Sequence, residues 1–153
     1  MDRFADPLGP PPALVLDTNA VLDWQVFGNP AMTPVIDAVR AGTVRWWATA
    51  AMRVELERVL TYKNLARYAP DAAAVLAAWD ALAQVVEPPL LRVRPRCTDA
   101  DDQGFIDLAL ARQARWLISR DRAVLKLARR ARSHGLWIGV PEAWPALAGP
   151  ALA

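Results

Sequence analysis

A chain of 153 residues that is 54% hydrophobic lies in the usual range of one domain with one core and is too apolar to be mostly disordered. No uncharged apolar run approaches the ~20 residues of a membrane span, so no membrane partner is expected. The N-terminus lacks the basic, apolar, small-residue order of a secretory leader, and the single cysteine, Cys97, has no partner for an internal disulfide, so the expected compartment is the cytoplasm.

The formal charge of +2 hides an asymmetry: 7 basic and 10 acidic residues precede position 90, against 11 and 6 from there on. A basic second half suits a polyanionic partner, although a GC-rich coding sequence also yields many arginines.

In chain order, residues 1–12 hold four prolines and little periodicity, and read as a flexible lead-in to a domain over residues 13–144. The spacing predicts strands at Ala13 to Asp17, Val44 to Ala48, Arg115 to Ser119 and Leu136 to Val140, with a further short one at Leu90 to Val93. Helical patterns cover Pro34 to Arg40, Ala50 to Leu60, Asp71 to Val85, Asp102 to Arg112 and Arg122 to Ser133. Residues 145–153, rich in Pro, Ala and Gly, read as a flexible tail. Short apolar runs alternating with helices predict an α/β fold in three layers, α/β/α, on a central parallel sheet of about four to five strands. The adjacent Trp46 and Trp47 then face opposite sides of the sheet as core.

Ligands of open parallel sheets bind beyond the carboxyl ends of the strands, and four acids fall there. Asp17 closes the first strand, Glu55 lies in the second turn of the helix after the second, Asp102 opens a helix, and Asp121 follows the strand before it. On a helical wheel Asp102 begins the stripe of Phe105, Ile106 and Ala109, whereas Asp107 points away. The wheel does not separate Glu55 from Glu57. Asp17, Asp102 and Asp121 each also suit a helix N-cap, and an isolated Glu55 suits a solvated surface. Several carboxylates in one cleft repel unless cations or raised pKa values relieve them. With one histidine and one cysteine no zinc set can form, whereas oxygen ligands suit Mg2+ or Mn2+, which activate water and shield phosphate oxygens.

Val15-Leu16-Asp17-Thr18-Asn19, Val54-Glu55-Leu56 with Val59-Leu60, and the run from Cys97 to Leu127 together resemble the PIN-domain family, particularly its bacterial toxin–antitoxin ribonuclease branch. In that run Asp99-Ala100-Asp101-Asp102-Gln103-Gly104-Phe105 is similar to the family's acidic helix entry, and Trp116-Leu117-Ile118-Ser119-Arg120-Asp121 to its last strand-and-aspartate motif. The resemblance spans residues 13–144. It implies metal binding and catalysis by Asp17, Glu55, Asp102 and Asp121, with Asn19 and Ser119 orienting ligands or water. Asp99 or Asp101 remains open in place of Asp102. It also implies RNA as substrate, an antitoxin as partner, and a homodimer.

Arg120 and Arg122 flank Asp121 and are read as phosphate contacts. The alternating Arg92, Arg94 and Arg96, and also Arg129, Arg130 and Arg132, suit a solvated surface. Trp24 suits packing better than base stacking, and His134 and Cys97 structural roles. The leading expectation is a metal-dependent endoribonuclease. The rivals are a catalytically weak RNA- or protein-binding domain and a DNA-directed nuclease. A phosphoaspartate signalling domain is disfavoured, since no clear lysine follows the later strands.

Overall fold

Every residue of the first strand, β1 (Ala13–Leu16), is buried, as expected of a strand covered on both faces. The computed structural model describes residues 10–89 and 103–145. Within them β1 is followed by α1 (Thr18–Gln25), α2 (Thr33–Ala41), β2 (Arg45–Ala48), α3 (Ala50–Val59), α4 (Ala72–Leu82) and β3 (Gln84–Val85). Then come α5 (Gln103–Ala111), β4 (Trp116–Ile118), α6 (Arg122–Leu125), α7 (Ala128–Arg132) and β5 (Trp137–Gly139), with short 3-10 helices at Pro30–Met32, Lys63–Tyr68 and Pro141–Ala143.

The five strands form one sheet in the order β3-β2-β1-β4-β5, and every neighbouring pair is parallel. Leu14 pairs with Trp46 on one side and Trp116 on the other. Alternate side chains then sort into two cores. Leu14, Leu16, Trp46 and Ile118 meet Val21, Ile36, Leu56 and Trp79 from α1 to α4. Val15, Trp47, Leu117 and Ile138 meet Phe105, Leu108, Val124 and Ala131 from α5 to α7. This is a three-layer α/β/α arrangement, and Trp46 and Trp47 lie in opposite cores. Trp24 stands edge-on to Trp46, with centroids 6.1 Å apart at 77°, so it packs rather than offering a face to a base.

Several sequence expectations need correction. The helix expected to run to Val85 ends at Leu82, and Gln84–Val85 pair instead with Trp47 and Ala48 as the edge strand. The low polarity of the Ala-rich run before it masks that change of period. The helix expected over 122–133 breaks at Lys126 and Leu127, where Leu127 N–H donates to Val124 O, a 3-10 spacing. Val124, Leu127 and Ala131 nevertheless stay on one buried stripe. α1 is an additional helix, too short for its periodicity to stand out. Asp107, expected to point away from the stripe of Phe105, Ile106 and Ala109, is nevertheless buried and accepts from Gln103 Nε2 at 2.9 Å. Pro88 and Pro89 line a small pocket together with Asp107, a neighbourhood that hydrophobicity on a wheel does not register. The expected strand at Leu90 to Val93, the arginines at 92, 94 and 96, Cys97, and the acids at 99, 101 and 102 lie outside the described residues.

The opposite ends of the strands carry a different surface. There Arg45, Arg112 and Arg115 line a shallow hollow with Trp47, and Arg45 and Arg112 lie over its ring at 4.8 and 5.9 Å.

Candidate metal and nucleic-acid site

After β1 the chain turns out to β2 and β3, then crosses back to place β4 on the other side of β1. This makes the carboxyl ends of β1 and β4 the switch point of the sheet. Asp17 stands there. Its backbone N–H donates to Ile118 O at 3.1 Å, stitching the two strand ends, and its extended backbone (φ −76°, ψ 171°) lets it cap α1. One carboxylate oxygen accepts from Ala20 N–H at 3.1 Å, and the other accepts from the Ser119 hydroxyl.

Ser119 works in two directions. While its hydroxyl donates to Asp17, its oxygen accepts from Asp121 N–H at 3.0 Å. Asp121 in turn caps α6, accepting from Ala123 N–H at 2.8 Å. The N-cap roles weighed as alternatives for Asp17 and Asp121 are therefore present, and they hold both carboxylates at the mouth of the sheet. On the neighbouring strand Thr49 caps α3, and α3 delivers Glu55 in its second turn. The Thr18 hydroxyl donates to Glu55 Oε2, tying α3 back to α1.

Asp17, Thr18, Glu55, Arg58, Asn64 and Asp121 all line one open cleft of about 420 Å³, which Asn19 also borders. Three of the four acids expected at the site thus share a cleft, and the fourth, Asp102, lies outside the described residues. Glu57 is exposed and pairs with Arg53 at 3.6 Å, so Glu55 is the acid of α3 that faces the cleft. α5 starts beside it: Gly104 and Phe105 line a smaller pocket that Glu55 also borders.

Burial pushes the Asp17 carboxyl from an ordinary 3.8 up to about 6, against the lowering pull of the Ser119 hydroxyl and the Ala20 N–H, and the charge of Asp121 pushes it further up. Two carboxylates that feel each other in a desolvated pocket are relieved by a cation or a proton. Among the described residues no three His, Cys, Asp or Glu side chains close into a ready-made metal cage. The donor set still fits a hard divalent ion. Its oxygen donors are carboxylates, hydroxyls and the amides of Asn19 and Asn64, and Mg2+ commonly takes one or two carboxylates and completes its shell with water and substrate phosphate.

The arginines beside Asp121 differ. Arg120 pairs with Asp23 of α1 and with Glu142 at 2.6 Å, so its guanidinium braces the loop. Arg122, the first residue of α6, is exposed. The cation that borders the cleft is Arg58, which sequence reading passed over although it lies three residues after Glu55 and shares its helix face. Thr18 was legible only as the middle of an Asp-Thr-Asn motif.

Among models of known protein families, the PIN domain matches residues 13–123. No curated protein matches the chain. No described helix is long and apolar enough to cross a membrane.

Proposed function

This chain belongs to the PIN domain family, whose members are generally nucleases and typically use divalent metals, and from that premise we propose that it is a metal-dependent endoribonuclease. The observation that carries the reading is the Asp17–Asp121 carboxylate pair at the switch point of the sheet, with Glu55 lining the same cleft.

Asp17, Asp121 and Glu55 would hold Mg2+ or Mn2+, which when bound ionises water and shields phosphate oxygens. The chain's own groups do the positioning. Ser119 holds Asp17 through its hydroxyl and Asp121 through its backbone, and Thr18 holds Glu55. Arg58, which lines the cleft, offers a guanidinium to the phosphate backbone, and the exposed Arg122, next to Asp121 in sequence, is a second candidate for that contact. The Arg120 pairs with Asp23 and Glu142 fix the loop that carries Asp121.

The likeness of residues 15–19 and 97–127 to the bacterial toxin branch supports a further part of the proposal.

The protein acts as the toxin of a toxin–antitoxin pair, with an antitoxin that covers the cleft and with a homodimer as the working form. Purified protein incubated with RNA and Mn2+ beside an Asp17→Asn variant tests the nuclease: wild type cleaves and the variant loses at least about a hundredfold in rate. Equal metal-dependent cleavage by both would sink the assignment.

One observation favours a second reading, a domain that binds RNA without cutting it: both oxygens of Asp17 already accept hydrogen bonds within the protein. Calorimetry separates the two, since that reading requires RNA binding with no uptake of Mg2+ or Mn2+.

A further inference from the structure

Along one wall of the acidic cleft, aromatic rings stand in solvent. Phe27, just beyond α1, is 43% exposed, Tyr62, before the 3-10 helix, is 44% exposed, and Tyr68, at its end, is 43% exposed. Phe27 and Tyr62 line the cleft beside Arg58 and Asn64. Tyr68 buttresses Phe27 edge-on, with centroids 4.8 Å apart at 78°. Arg67 lies over the Tyr68 ring at 4.9 Å and donates to its hydroxyl at 2.8 Å.

The rings sit on anchored backbone. Phe27 N–H donates to Leu22 O at 3.0 Å, and Leu65 N–H donates to Tyr62 O at 3.0 Å, while the Leu65 side chain is buried in the core. Exposed planar rings interleaved with arginine and an amide, bordering a cleft that holds carboxylates, match the chemistry that receives unstacked nucleobases. A duplex keeps its base faces stacked and has none to offer.

We propose that Phe27 and Tyr62 are base-contacting residues, stacking unpaired bases of the RNA strand beside the acidic cleft. This rests on the nuclease reading for its substrate, but its test does not require cleavage. The Kd of a labelled, unstructured RNA oligomer is measured by fluorescence anisotropy in EDTA, for wild type, Phe27→Ala, Tyr62→Ala and the ring-keeping Phe27→Trp and Tyr62→Phe. Each alanine variant is expected to weaken binding about tenfold, with recovery in the ring-keeping variants and little loss on an oligomer of the same length made of abasic nucleotides.

Wild-type affinity in both alanine variants overturns the proposal, as does an equal loss on the abasic oligomer. So does dissociation of a dimer by the same substitutions with RNA affinity unchanged, which assigns the face to a second copy of the chain. Failure of wild type to cleave in Mn2+ while the ring dependence of binding holds refutes the nuclease reading alone. Cleavage that needs Asp17 but ignores both rings refutes only this proposal.

Discussion

Ser119 shows how much one hydroxyl organises. It has a single hydrogen to give and gives it to Asp17, and its oxygen fixes the backbone of Asp121, so two carboxylates from distant parts of the sequence are held by one side chain. The cost falls on Asp17, whose carboxyl is buried and titrates near 6 rather than 3.8. Between those values the folded protein retains a proton that the unfolded chain has released. The contribution of this group to stability is therefore complete below pH 3.8 and is lost as pH rises through about 6. The shift corresponds to on the order of 3 kcal/mol. In metal-free protein, Asp17→Asn removes that penalty but deprives Ala20 N–H or the Ser119 hydroxyl of an acceptor, at about 1 kcal/mol. A thermal melt in EDTA at pH 7.5 should place the variant a few degrees above wild type, and the gap should close by pH 4. A variant that melts lower at both values contradicts the burial argument. Asp17 and Asp121 were legible in the sequence because strand ends and helix starts are marked by residue type. Thr18, Arg58 and Tyr62 were not, because their roles depend on which wall of the cleft α3 and the Lys63–Tyr68 helix form.

Among the elements, the loop between β4 and α6 is held from two sides. Arg120 spans from it to Asp23 on α1 and to Glu142 on the last 3-10 helix, and Asp23 is 8% exposed. The sequence points to Arg120 as a phosphate contact, because a cation beside a strand-end acid looks the same whether it faces substrate or another acid. Removing it strands a buried carboxylate, so Arg120→Ala should lower stability by about 1–3 kcal/mol. Chemical denaturation measures this directly, and RNA affinity in the same variant should change far less than in Arg58→Ala. A fully stable variant with weakened RNA binding would return Arg120 to the phosphate role. The strands were legible because both faces are buried and the apolar runs are short and bounded. The edge strand β3 escaped because two residues carry no period, and α1 because two turns of helix barely do.

Across the whole molecule, the three-layer order follows from the alternation of short apolar runs with helices, and the two cores follow from the alternation of side chains along β1 and β4. The order of the strands was not legible, since nothing in a strand's own residues names its neighbour. That order makes β1 central, between β2 and β4, and the bond from Ser119 to Asp17 joins residues 102 positions apart. The consequence is one of time. A growing chain that already contains Asp17 and Glu55 has no site until β4 arrives, and contacts of such long range form slowly because loop closure precedes their reward. On refolding from denaturant, regain of cleavage should follow the slowest phase of tryptophan fluorescence, and activity that returns in a faster phase would show that the site assembles without β4. A nuclease of the proposed kind, built this way, would stay harmless to the RNA around it for as long as its own chain is still being made.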